Sequence, residues 1–117
     1  GNNSRGILVS STGAANFLKD VTVNKPSGLN NAAPIEKAGT GIATFQGDVF
    51  VTSDTGAPSN QYSTRDGVRN NAGTSDYRKN LGITSQGGTR SGLYVGAGTV
   101  KIGGNLMLDF QSTYYAG

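Results

Sequence analysis

The 117-residue chain carries ten Lys and Arg against seven Asp and Glu, a net charge of +3, and contains neither cysteine nor histidine. It therefore has no disulfide framework, no thiolate site and no imidazole base or ligand, which argues against zinc, copper and haem sites and excludes any Ser-His-Asp arrangement. The pI near 9.4 reflects scarce acids rather than a basic cluster, so nucleic acid is not an expected partner, and no apolar run approaches the ~18 residues of a membrane helix.

Leu, Ile, Val and Phe together make 24 residues and Gly another 19, a lean core inventory beside an excess of turn-forming residue. A small domain with so little to bury is expected to complete its core with other chains. Gly1 in place of an initiator Met and the uncharged end Tyr115-Ala116-Gly117 fit a cut fragment or a processed product.

In chain order, Gly6-Ile7-Leu8-Val9 reads as a short strand and Ser10-Ser11-Thr12-Gly13 as a turn. Residues 15–24 (ANFLKDVTVN) then read as strand, tight turn, strand, because apolar side chains alternate on either side of a polar break. Residues 43–52 (ATFQGDVFVT) repeat that phrase, and residues 100–109 (VKIGGNLMLD) repeat it again, preceded by Gly92-Leu93-Tyr94-Val95 as the first copy is by Gly6–Val9. The shared template is apolar, polar, Phe or Ile, two turn residues, Asp or Asn, apolar-x-apolar, and a polar stop. The first and second copies lie 28 residues apart, the second and third 57. Near residue 72, where another copy would fall, the sequence is polar and turn-rich, and an insertion is expected to have replaced it. Spacing of about thirty residues with glycine-bearing turns predicts stacked β units.

Asn24–Ala38, with Pro26 and Pro34, reads as a surface crossing, and Ser53–Gly88 as a long polar stretch in which about Arg78–Ser85 forms a strand of its own. The expected organisation is N-terminal β-repeat units over 1–52, a polar insert or knob over 53–88, and a C-terminal repeat unit over 89–117. The expected fold class is all-β, with short-strand repeats forming an intertwined or stacked β-prism or β-sandwich completed by neighbouring chains.

Residues 43–51 (ATFQGDVFV) and 92–108 (GLYVGAGTVKIGGNLML) resemble the short-strand repeats of bacteriophage tail fibres and related trimeric virion fibres. Similar Gly-Asn-Leu and Gly-Asp-Val phrases occur in secreted adhesins, autotransporter passengers and other β-solenoids. The resemblance covers about half the chain and implies a homotrimeric, extracellular structural fibre that serves attachment or extension without a cofactor. It also implies an assembly core formed by Phe17, Val21, Val23, Phe45, Val49, Val51, Leu93, Val95, Ile102, Leu106 and Leu108. Two other readings compete: a secreted filament or pilus subunit polymerising by strand donation, and a sugar-binding β-sandwich module.

Chemistry in the sequence is sparse. Gly96-Ala97-Gly98 and Gly103-Gly104 lack the helix that a phosphate cradle needs. Asp20, Asp48 and Asp109 are expected to cap turns, with calcium coordination between stacked units as the alternative. Asp48 with Asp54, or Asp66 with Asp76, would be the carboxylate pairs of a depolymerase, but nothing builds a cleft around them. No catalytic residue and no metal ligand is expected. The insert instead concentrates recognition chemistry in Tyr62, Arg65, Arg69, Tyr77 and Arg78, residue types suited to a host-surface glycan or protein receptor. Asn2-Asn3-Ser4 matches a glycosylation sequon, and Tyr114-Tyr115 reads as a strand end, an interchain contact or a junction.

Overall fold

A computed structural model describes residues 6–25, 33–54, 66–87 and 91–112. Each of these four stretches is one complete coil of chain built from three short strands. In the first coil they are β1 (Ile7–Val9), β2 (Ala15–Phe17) and β3 (Val21–Lys25); in the second, β4 (Ile35–Lys37), β5 (Ile42–Phe45) and β6 (Val49–Asp54). The third holds β7 (Asp66–Asn70), β8 (Thr74–Tyr77) and β9 (Leu81–Gly87), and the fourth β10 (Ser91–Val95), β11 (Thr99–Ile102) and β12 (Leu106–Ser112).

Every ladder is parallel and joins each coil to the next. Sheet A has the order β1-β4-β7-β10, sheet B β2-β5-β8-β11 and sheet C β3-β6-β9-β12. The result is a three-faced β-solenoid, all-β as the alternation predicts. Its faces are three parallel sheets wound from a single chain, rather than the two opposed sheets of a sandwich.

The expected insert is corrected here. The 57-residue gap consists of two steps, 32 residues from Phe45 to Tyr77 and 25 from Tyr77 to Ile102, and the copy between them is in place. Ser75-Asp76-Tyr77-Arg78-Lys79-Asn80-Leu81-Gly82-Ile83-Thr84 meets the template at every position but the first and third, and at the third Tyr77 keeps an aromatic ring where the others have Phe or Ile. At the first position Ser75 replaces the apolar residue, because its Oγ donates a 2.7 Å hydrogen bond to Oδ1 of the buried Asn70. The segment 53–88 is thus mostly coil, not knob. Its remaining connection, residues 55–65, lies outside the described residues, as do the sequon at Asn2 and the pair Tyr114-Tyr115.

Alternation within the strands sends one set of side chains into the coil and the other outward. Inward residues stack on their counterparts in the next coil: Phe17, Phe45 and Tyr77 in one column, Val21, Val49 and Leu81 in a second, Val23, Val51 and Ile83 in a third. The rings of Phe17 and Phe45 lie 4.5 Å apart at an interplanar angle of 4°. The 4.8 Å spacing typical of neighbouring strands is close to the thickness at which flat rings stack, so identical aromatics are accommodated without strain.

Two polar devices hold the corners. Asp20 Oδ1 accepts the Asp48 N–H at 2.8 Å, Asp48 Oδ1 accepts the Asn80 N–H at 3.2 Å, and Asn80 Oδ1 accepts the Asn105 N–H at 2.8 Å. This is why Asp or Asn recurs in the template: each side chain satisfies a turn amide one coil further on. At the A–B corner, Asn70 Nδ2 donates to Ala97 O at 2.7 Å. The adjoining Gly73 and Gly98 hold φ of 66° and 80°, values that side-chain-bearing residues seldom adopt. Where sheet C hands over to sheet A, a Cβ on Gly67 would come within 2.6 Å of Ile83 Cγ2, so the chain closes there only with glycine.

Candidate functional site

The five residues expected to bind a receptor do not form one site. Tyr62 and Arg65 lie outside the described residues. Tyr77 is completely buried and stacks on Phe45, so it belongs to the core. Arg78 occupies the exposed turn between sheets B and C and pairs with Asp76, Nε to Oδ2 at 2.7 Å. Arg69 stands on the outer face of sheet A. The polar residues around Tyr77 resemble a loop, but its place in the 32- and 25-residue steps puts its ring indoors.

Around Arg69 the coil does gather recognition chemistry. Leu8, Glu36, Arg69 and Tyr94 occupy one outward row of sheet A, on successive coils. The Arg69 guanidinium carbon lies 5.1 Å from the centre of the Tyr94 ring. Arg69 Nε donates to Asn71 Oδ1 at 2.9 Å, and Asn71 Nδ2 donates to Glu36 Oε1 at 3.2 Å. Glu36, Asn71 and Tyr94 were not among the expected binding residues. The signal that finds them is the 25-residue step from Arg69 to Tyr94, visible only once the third coil is recognised.

Of the two carboxylate pairs, Asp66 and Asp76 do not come together, and the Asp54 side chain of the other lies outside the described residues. Asp66 is fully buried with Arg69 Nε 3.8 Å from its carboxylate, while Asp76 points out of sheet B to Arg78. Asp48 is engaged in the corner ladder. Asp109 lies in a different row, opposite Thr84, and its Oδ2 accepts from Gln111 Nε2 at 2.7 Å. Among the described residues there is no group of three or more His, Cys, Asp or Glu side chains.

The residues assigned to an assembly core divide sharply by coil. Phe45, Val49 and Val51 are buried inside their own chain, with Ile35, Val68, Leu81 and Ile83 beside them. At these positions the interior is filled by the chain's own side chains. At the first coil Phe17 and Val21 are only partly covered, and Val23 is buried. In the last coil Leu93 and Ile102 are half-buried, whereas Val95, Leu106 and Leu108 are 47%, 42% and 54% exposed although they hold inward positions. No strand among those described pairs with the outer edge of the first coil or of the last. Each end therefore presents backbone donors and acceptors above a partly open apolar interior.

Two features of lesser reach complete the surface and interior. On the outer face of sheet C, Gly82 leaves a cleft of about 370 Å³ between the half-exposed Phe50 and Met107. Inside the second coil, Lys37 takes the position held by Val9 and Val95 in their coils. Its Nζ donates to Gly39 O, and burial lowers its pKa below the ordinary lysine value. Burial likewise raises the pKa of the Tyr77 phenol, whose hydroxyl makes no hydrogen bond.

No protein-family model, curated protein or solved structure matches the chain.

Proposed function

We propose that this chain is a non-enzymatic structural segment of an extended fibre, of the attachment or shaft kind implied by the resemblance to virion fibres, and that it works outside the cell. The observation that carries the reading is the contrast between middle and ends. The second and third coils bury their inward side chains almost completely, while the last coil leaves its own half open, the first fully covers only Val9 and Val23, and no described strand pairs with either outer edge. Repeat architectures draw their stability from contacts between neighbouring coils and require closure at the termini. Unclosed edges of parallel strands are templates for further strands. Such a geometry favours extension along the coil axis, which also suits the competing reading of a surface filament assembled by strand pairing.

The outward row of Arg69 and Tyr94 with Asn71 supplies an aromatic face, a guanidinium and a carboxamide in line with that axis, steadied by the nearly buried Glu36 carboxylate. In a fibre this row is the natural contact for a host-surface glycan or protein, because cation–π and amide contacts suit both. Measurement of the mass of the purified chain across a range of concentrations tests the structural reading. Self-association into a discrete oligomer or an open polymer is expected; a monomer at every concentration overturns it.

A further inference from the structure

We propose that the exposed edge of the last coil binds the exposed edge of the first coil of a second copy of this chain, in the same register that joins successive coils within it. This rests on the fibre reading and specifies its junction.

The two edges match position by position. Extending the internal register places Leu93 on Ile7, Val95 on Val9, Val100 on Ala15, Ile102 on Phe17, Leu106 on Val21 and Leu108 on Val23. Each of these is an apolar side chain directed inward, and those of the last coil are the ones left half open. Outward positions are compatible as well: Lys101 would stand over Asn16, Asp109 over Asn24 and Gly104 over Lys19, so no like charges face each other.

The corner ladder adds a directional match. Asp20, Asp48 and Asn80 each accept the corner amide of the following coil. The exposed Asn105 carboxamide is the next acceptor in that series, and the Asp20 N–H of a second copy is the donor that would meet it. A first coil and a last coil that share one template (Gly-Ile-Leu-Val against Gly-Leu-Tyr-Val, Asp-Val-Thr-Val against Asn-Leu-Met-Leu) form a head-to-tail, heterologous contact. Such contacts do not close on themselves unless the rotation between copies returns to its start, so the product is an open filament.

The chain lacks cysteine, which makes a covalent test clean. Asn16 and Lys101 are exposed outward positions of sheet B, three coils apart in one chain. That separation is about 14 Å at the usual strand spacing, beyond the ~7 Å at which a disulfide can form. In the proposed stack they become neighbours across the junction. The double variant Asn16→Cys with Lys101→Cys, oxidised mildly, is expected to give a ladder of disulfide-linked multimers on a non-reducing gel. The out-of-register pair Asn16→Cys with Met107→Cys is expected to give none.

Leu108→Asp supplies the second arm. Leu108 is over half exposed in the single chain, so the variant should keep the strand signal and melting temperature of the monomer while abolishing the ladder. A discrete lateral trimer without intermolecular disulfides overturns the head-to-tail junction and leaves the fibre reading standing. Equal cross-linking of both cysteine pairs also overturns the junction. A monomer at all concentrations overturns both.

Discussion

The Tyr77 ring lies 4.6 Å above that of Phe45 at an interplanar angle of 8°. This single contact places the third coil in register with the second, because an aromatic column can continue only if the intervening chain returns each ring to the same station. It also leaves a phenol hydroxyl buried without a hydrogen bond.

Tyr77→Phe should therefore stabilise the protein, since an unsatisfied buried polar group costs about 1–3 kcal/mol. The raised phenol pKa adds a pH signature. The unfolded chain ionises near pH 10 while the folded one resists, so stability is fully present below pH 10 and is lost as pH rises beyond it. Thermal melting from pH 8 to 11.5 should show that alkaline decline in the parent protein and a weaker one in Tyr77→Phe.

Lys37→Met should act in the opposite window. Burial holds the lysine's folded pKa below its ordinary 10.5, so its destabilising charge is fully felt below the folded pKa and fades as pH climbs toward 10.5. The variant is expected to melt higher at neutral pH and to lose the stability gain on approaching pH 10.5. Methionine fills the column between Val9 and Asn70 at similar length. A lower melting temperature at pH 7 would show that the bond to Gly39 O outweighs the buried charge.

The corner ladder can be tested one amide at a time. Asn80→Ala removes the acceptor of the Asn105 N–H, and a hydrogen bond of this kind contributes about 0.5–1.5 kcal/mol. Hydrogen exchange should accelerate at Asn105 more than at Asn80, whose amide is held by Asp48. Asp48→Asn retains an oxygen acceptor and should leave Asn80 protected, whereas Asp48→Ala should not.

Val49→Asp separates an intrachain core from one shared between chains. Val49 is fully buried beneath Leu81 and Val21 within one coil stack, and an unpaired charge there is strongly unfavourable. The variant is expected to lose its β-sheet circular dichroism altogether. A folded monomer would show that the valine's burial depends on neighbouring chains.

Much of the fold was legible in the sequence because a coil that stacks on itself must repeat its chemistry. The alternation around Phe17, Phe45 and Ile102 marked the strands, and the recurring Asp or Asn marked the corner whose amide it satisfies. The third copy is hard to see in the sequence because its apolar position is Ser75, tied to Asn70, and because a turn of Arg78, Lys79 and Asn80 looks like loop. Its cues were Tyr77 three residues before Asn80 and the Leu-x-Ile that follows.

The candidate binding row was less legible, since Arg69 and Tyr94 are far apart in sequence and meet only through the pairing of β7 with β10. By itself, then, the sequence determined that the chain is β-rich, lacks thiol and imidazole chemistry, and repeats a strand-turn-strand unit. Only the tertiary structure decided that the repeats wind into one three-faced coil, with Tyr77 and Lys37 inside and no described strand on either terminal edge. The reason is physical: alternation fixes which side chains share a face, but parallel pairing across 25 to 32 residues fixes which faces meet.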